Sequence, residues 1–434
     1  MTLEQTMQIR RRGWHAAAVS LSVALLGGGC REAGLRVTPL ASPQDIGEST
    51  DPALAVDPGT GDLLLAWARR DDSTWTLVVA RSRDGGASWS TGVPAAGGPA
   101  APHEVHPHGE SSAKLVAAPG GRLALVWPNS VPVAGRKWPA AMMRFTRSTD
   151  GGRTWAPPIT LNDDTTGAPV SHQFHGAAWQ GDSGLVVAWL DERPGPAPSA
   201  ATASDPTSEP DAAIFAVESP DFGGRWSANR RLWGAACPCC RITLARETGG
   251  EVIAAWRQHF PGNIRDVVVA PVGTPLGERS AEPARVHEDG WVYAGCPHTG
   301  PGVAAAAAGG VHTVWYTGRE GRAGIYYARA GAGAQSAAPV ALVRGAVSPA
   351  HAVVAGLADG GAIAAYDVDA TGARTIRVAR LGPDGRVHGQ ATVPGSAGGS
   401  YPQLAVLPGG GAVVAYSAGT PERRTVRLAR LELP

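Results

Sequence analysis

Two short segments hold every cysteine beyond residue 30 of this 434-residue chain: Cys237-Pro238-Cys239-Cys240-Arg241 and Gly295-Cys296-Pro297-His298. Thiolate and imidazole together bind soft or borderline metals, Cu(I) and Zn(II) above all. The two-residue gap between Cys237 and Cys240 lets two sulfurs reach one ion, and Cys296 and His298 can add ligands. The same residues support a second chemistry. In an oxidising compartment Cys237, Cys239 or Cys240 can pair with Cys296 as a structural disulfide. Adjacent Cys239 and Cys240 also permit a strained, redox-labile vicinal bridge. The sequence leaves these alternatives open.

Histidines cluster in similar segments: His103, His106 and His108 in HEVHPHGE, His172 and His175 in SHQFH, and His351 in SPAHA. Their spacing points to metal or substrate binding, with plain exposed loop residues as the competing reading. Glu104 and Glu110 are placed to orient the imidazoles or to act as general bases. His259, His287, His312 and His388 lie elsewhere in the repeat and read as structural.

What positions these segments is a phrase repeated seven times: an apolar run, a Gly-containing turn, and a second apolar run ending in an aromatic residue. The first copy, PALAVDPGTGDLLLAW, ends at Trp67, and the last, QLAVLPGGGAVVAY, at Tyr416. The others end at Trp127, Trp189, Trp256, Trp315 and Tyr366, so the anchors lie 50 to 67 residues apart. Such self-similarity marks a repeat architecture whose unit begins as a β-hairpin. A third strand follows each hairpin (TLVVARS, 76–82), then a weaker fourth (PPITL, 157–161). Four antiparallel strands repeated radially predict an all-β, seven-bladed β-propeller, six-bladed if one copy is irregular. LRVTPLA (35–41) is expected to supply the missing outer strand of the last blade, leaving no free edge. The connection entering each first strand then opens at the channel mouth. Seven of the eleven histidines after residue 30, and all four cysteines there, fall in those connections.

Three other connections share the pattern S-x-D-x-G-x-x-W: Ser82, Asp84, Gly86 and Trp89; Ser148, Asp150, Gly152 and Trp155; Ser219, Asp221, Gly223 and Trp226. The Asp accepts backbone N–H groups, the Gly permits positive φ, and the Trp packs on the blade. This pattern resembles the Asp box of sialidases and other bacterial-neuraminidase-repeat propellers, over roughly residues 45–434. The boxes are structural turns. The resemblance implies an exo-sialidase-type glycoside hydrolase, with Tyr401 in GSYPQL matched to the family's tyrosine nucleophile. A carboxylate clamp would come from Arg69, Arg193, Arg257 and Arg319, each within four residues of its blade's Trp, with ordinary loop residues as the competing reading. The Arg-Ile-Pro-type segment of that family has no counterpart at residues 35–60.

A formal charge of +1 argues against nucleic-acid or membrane-surface binding through bulk electrostatics. Residues 1–30 read as an export signal: Arg10, Arg11 and Arg12, an apolar run Ala16–Leu26, then Gly27-Gly28-Gly29-Cys30. The ending resembles a bacterial lipoprotein signal with Cys30 as the lipidated residue, and the paired arginines also permit a twin-arginine route. A plain signal peptide is the alternative. Residues 31–434 then form one propeller domain, periplasmic or on the cell surface, touching the membrane only through its lipid. Residues 193–211, rich in Pro, Ala and Ser, read as a flexible insertion on the same face as the Cys and His segments.

The leading expectation is a monomeric propeller with a Cys/His-lined site for a small-molecule or glycan ligand, or for copper or zinc. Divergent glycosidase and disulfide-stapled binding scaffold are the alternatives.

Overall fold

A computed structural model describes residues 35–433, apart from 137–138, 165–168, 194–211, 274–275, 277–281, 331–337, 346–347, 349, 370–371 and 421–422. Residues 1–30, read as an export signal ending at Cys30, and all of the Pro-rich insertion after Arg193 lie outside the described residues.

Each repeat folds as its alternation of apolar runs and glycine turns requires. The first unit comprises strands Ser49–Val56, Leu63–Asp71, Thr74–Ser82 and Val93–Gly97, paired antiparallel in chain order. Units two, five and six repeat that four-stranded meander. Units three and four are joined into one eight-stranded sheet through a single pairing, Ala236 with Gln258. In the seventh unit Ser400–Val406, Ala412–Thr420 and Arg423–Glu432 are completed by Arg36–Leu40, which pairs antiparallel with the last strand from Arg36 opposite Glu432 to Leu40 opposite Leu428. This is the sheet topology of a β-propeller. The first strand of each unit packs against that of the next, and Ser400–Val406 packs against Ser49–Val56.

Second strands form the core. The anchors Trp67, Trp127, Trp189, Trp256, Trp315, Tyr366 and Tyr416 are all at most 2% exposed. Burying a ring of that size costs least when its polar atom is hydrogen-bonded, which holds for four of the five tryptophan anchors and not for Trp67. Accordingly Trp189 Nε1 donates to Asp191, Trp256 to Gln258, Trp315 to Asp289 and Trp127 to the Glu104 carbonyl.

The three S-x-D-x-G-x-x-W connections fold alike. Ser82 Oγ donates to Asp84 and accepts the Gly86 amide, while Asp84 accepts the Ser88 amide. Ser148 with Asp150, and Ser219 with Asp221, repeat the arrangement. Gly86, Gly152 and Gly223 have φ of 96°, 87° and 91°. A side chain there would be strained and would also meet Leu40, Leu123 or Phe145. Trp226 packs edge-on against Phe145 of the preceding unit, centroids 4.9 Å apart.

Candidate functional site

Three first strands carry the same irregularity opposite the aromatic anchor. Asp51-Pro52 bulge between the pairs Thr50 with Ala68 and Ala53 with Ala66, opposite Trp67. Phe174-His175 bulge opposite Trp189, and Tyr401-Pro402 opposite Tyr416. The leading residue of each bulge is left-handed: Asp51 at φ 53°, Phe174 at 57°, Tyr401 at 53°. None is glycine, so each conformation costs about 1–3 kcal/mol, and such strain concentrates at functional sites. The amide each bulge removes from its ladder is received by the preceding unit in the ring. Asp51 N donates to Ser417 Oγ (3.0 Å), Phe174 N to Ser111 Oγ (2.8 Å) and Tyr401 N to Asp367 Oδ2 (2.9 Å).

These bulges aim side chains at one place. His108 lies edge-on to Phe174 (5.5 Å) and 5.9 Å from His298, and His298 lies 6.1 Å from Phe174. The His351 ring lies against Tyr401, tilted by 34° with centroids 3.9 Å apart, its Nδ1 bonded to Asp367 (2.7 Å), which also accepts from Arg374. Burial raises the carboxyl of Asp51, opposed by the Thr50 hydroxyl and His108. Burial lowers His108, helped by neighbouring His298. Asp51 Oδ2 and His108 Nδ1 are buried with no hydrogen-bond partner. Burial also raises the Tyr401 phenol, and the charges of Glu110, Asp367 and Asp51 raise it further. Tyr401 therefore does have carboxylate neighbours, on segments of other units that the sequence alone does not connect to it. Only glycine fits at position 109, because a Cβ there would meet the Tyr401 ring.

Beneath the mouth, the fully buried Glu110 pairs with Arg241 Nη1 (2.5 Å) and accepts the Gly300 amide. Arg241 Nη2 donates to the Ala352 carbonyl (2.7 Å). One ion pair thus ties units two, four, five and six together. Lys114, on the first strand of unit two, donates to Ser112, and burial and the Arg241 charge push it down to about 8.

The cysteines lie beside the mouth. Cys239 and Cys296 form a disulfide joining the two cysteine segments, so no vicinal Cys239–Cys240 bridge forms. Cys237 and Cys240 are free thiols, 0% and 1% exposed, with sulfurs 2.6 Å apart. Cys237 Sγ lies 4.0 Å from Cys239 Sγ. Burial alone would raise Cys237, but the Cys240 thiol and the charges of Arg265 and Arg257 bring it to about 7, while burial and Cys237 itself raise Cys240. Arg265 is fully buried, and neither of its terminal nitrogens has a hydrogen-bond partner. Two donor trios have ligand atoms within 4.8 Å of one another: Cys237, Cys239 and Cys240, and Cys239, Cys296 and His298. Two thiolates with an imidazole form a donor set that fits Cu(I) or Zn(II), and Cys239, Cys296 and His298 would offer it only with the Cys239–Cys296 bond open.

Other residues singled out from sequence sit apart. His103 and His106 are exposed. His172 is buried and bonded through Nδ1 to Asp191 (2.9 Å), whose carboxyl, despite burial, is held near 2 by His172 and Arg193. His175 is buried against the Val126 carbonyl and pushed by burial to about 3, so it stays neutral. Glu104 pairs with Arg144 instead of orienting an imidazole. The four arginines form no common clamp. Arg69 pairs with Asp71, Arg193 with Asp191 and Asp163, and Arg319 donates to the Asp289 carbonyl. Arg257 donates to the carbonyls of Thr299, Arg265 and Tyr316. Sequence reasoning passed over Asp51, Phe174 and Asp367. The shared X-Pro pattern of Asp51-Pro52 and Tyr401-Pro402, each near the start of a first strand, was a usable signal for the first.

No family model and no curated protein matches this sequence. Solved structures of similar architecture include a Dyadobacter fermentans protein of unknown function, 14% identical over 93% of this chain and all of that one, TM-score 0.48. The GH93 α-L-arabinofuranosidase of Fusarium graminearum is 12% identical over 91% of this chain and 96% of its own, TM-score 0.47. The intramolecular trans-sialidase of Ruminococcus gnavus is 12% identical over 88% of this chain and 94% of its own, TM-score 0.45. The reading of the site rests on this chain's own geometry.

Proposed function

We propose that this chain is an exported seven-bladed propeller, lipid-anchored at Cys30, whose channel mouth binds a soft metal ion, Cu(I) or Zn(II). Seven inner strands in ring order, and the pairing of Arg36–Leu40 with the last strand, support the blade count and the closure. The observation that carries the metal reading is the free Cys237/Cys240 thiol pair lying beside Cys239, which belongs to two donor trios that become complete when the Cys239–Cys296 bond opens. His108, with its buried unpartnered Nδ1, stands 5.9 Å (centroid to centroid) from His298 and supplies a further imidazole at the mouth. The test is elemental analysis and a thiol count on protein lacking residues 1–30. Bound copper or zinc, lost in Cys237→Ser and Cys296→Ser variants, is expected. Metal-free protein with all four cysteines paired overturns the reading in favour of a disulfide-stapled binding scaffold.

A second reading is a glycoside hydrolase acting on a sialoside or another small glycan. Tyr401 among Glu110, Asp51 and Asp367 favours it. Against it, Glu110 is held by Arg241 and the Gly300 amide, and the phenolate is disfavoured. Release of the fluorophore from a fluorogenic sialoside, abolished by Tyr401→Phe, would establish this reading; absence of release would dismiss it for sialosides.

A further inference from the structure

We infer that the Cys237/Cys240 dithiol and the Cys239–Cys296 disulfide exchange partners, and that this exchange unmasks the donor trio Cys239, Cys296 and His298. The inference deepens the metal reading and rests on it only for the identity of what the unmasked trio binds.

The geometry is that of a relay. Cys237 Sγ is 2.6 Å from Cys240 Sγ on one side and 4.0 Å from Cys239 Sγ on the other. In the structure's pairing, the two free sulfurs are sealed from solvent. The two sulfurs nearest the surface are bonded to each other: Cys296 is partly exposed, and its neighbour His298 is exposed. The three-donor set at the surface therefore cannot hold a metal ion until its disulfide opens. No external reductant is needed, because a dithiol stands next to it.

The exchange proceeds in two thiolate attacks on disulfide sulfur. Cys237 gives up its proton and attacks Cys239 Sγ. The Cys237–Cys239 bond forms, the Cys239–Cys296 bond breaks, and the electron pair leaves on Cys296 Sγ, which takes a proton. Cys240 then gives up its proton and attacks Cys237 Sγ. The Cys237–Cys240 bond forms, and Cys239 Sγ leaves with the electron pair and a proton. One disulfide and two thiols exist before and after, so nothing is oxidised or reduced overall. The product carries a buried Cys237–Cys240 disulfide and a free Cys239/Cys296 pair beside His298. A soft metal ion binding that trio draws the exchange forward by mass action.

The experiment maps disulfides by acid quench, alkylation and peptide mass analysis of protein holding two free thiols per chain. With a chelator present, both pairings, Cys239–Cys296 and Cys237–Cys240, are expected in wild type. In Cys240→Ser the second step is blocked, and Cys237–Cys239 should accumulate with Cys296 alkylated. Adding zinc alone to wild type should shift the pairing toward Cys237–Cys240. Cys239–Cys296 as the sole pairing in both proteins, with Cys237 always alkylated, overturns the exchange. Zinc bound by Cys237 and Cys240 with Cys239–Cys296 intact overturns it while leaving the metal reading in place. Both pairings in chelator, with neither zinc nor Cu(I) bound when each is added, uphold the exchange and remove the metal reading.

Discussion

Arg241 and Glu110 form a buried ion pair, 2.5 Å from Nη1 to Oε2, between units that are not neighbours in the chain. Glu110 also accepts the Gly300 amide and Arg241 donates to the Ala352 carbonyl, so the pair is hydrogen-bonded on both sides. Breaking a buried pair by removing one partner leaves an uncompensated charge and costs about 3–5 kcal/mol, whereas replacing both with apolar groups is often near neutral. Glu110→Ala and Arg241→Met should each destabilise by that amount in denaturant titrations, and the double variant by much less than the sum. Additive losses would show that the two side chains act independently.

The bulge amides give a second prediction. Phe174 N and Asp51 N each depend on a single hydroxyl from the preceding unit, Ser111 and Ser417. A buried donor left without a partner costs about 1–3 kcal/mol. Ser111→Ala and Ser417→Ala should each lose about that much, while Ser111→Thr should retain most of it. Wild-type stability in both alanine variants would mean the bulges hold without these bonds.

Buried neutral histidines set the response to acid. His175 is pushed by burial to about 3, and His312 by burial and nearby Arg329 to about 4. Below an unfolded value near 6.5 the unfolded chain takes up protons that the fold refuses. The contribution of these two rings is therefore flat above that pH, falls as pH drops from about 6.5 toward 4, and levels out below the folded values. Unfolding midpoints across that window should show the slope, and His175→Leu should flatten part of it. An unchanged slope in the variant would show that this ring is protonated in the fold.

The Cys239–Cys296 link joins residues 57 apart in sequence. Removing such a disulfide typically costs about 2–5 kcal/mol. Cys296→Ser should lower stability within that range while leaving the sheet content seen by circular dichroism unchanged. A loss smaller than about 1 kcal/mol would mean that the cross-link constrains the unfolded chain little.

Much of the architecture was legible because its determinants are local. Period-two alternation and glycine turns mark hairpins, and the pairing of Arg36–Leu40 with the last strand followed from a unit that lacked its outer strand. The S-x-D turns were legible for the same reason: every bond from Asp84 or Asp150 stays within a few residues. Site residues were legible only as a group. The connections entering the first strands do converge, bringing His108, His298, Cys296 and Tyr401 together. Within that group, spacing could not tell the mouth residue His108 from exposed His103 and His106, or from His172 and His175, turned into the core.

By itself, then, the sequence determined the repeat, its strands and the face on which the unusual residues gather. Tertiary structure alone decided that Cys239 and not Cys237 or Cys240 bonds Cys296, and that Glu110 serves Arg241. It also decided that the candidate clamp arginines serve carbonyls and carboxylates of their own surroundings. These choices depend on distances of a few ångströms between segments many residues apart, set by how adjoining sheets pack on one another. Strand periodicity carries no information about such distances.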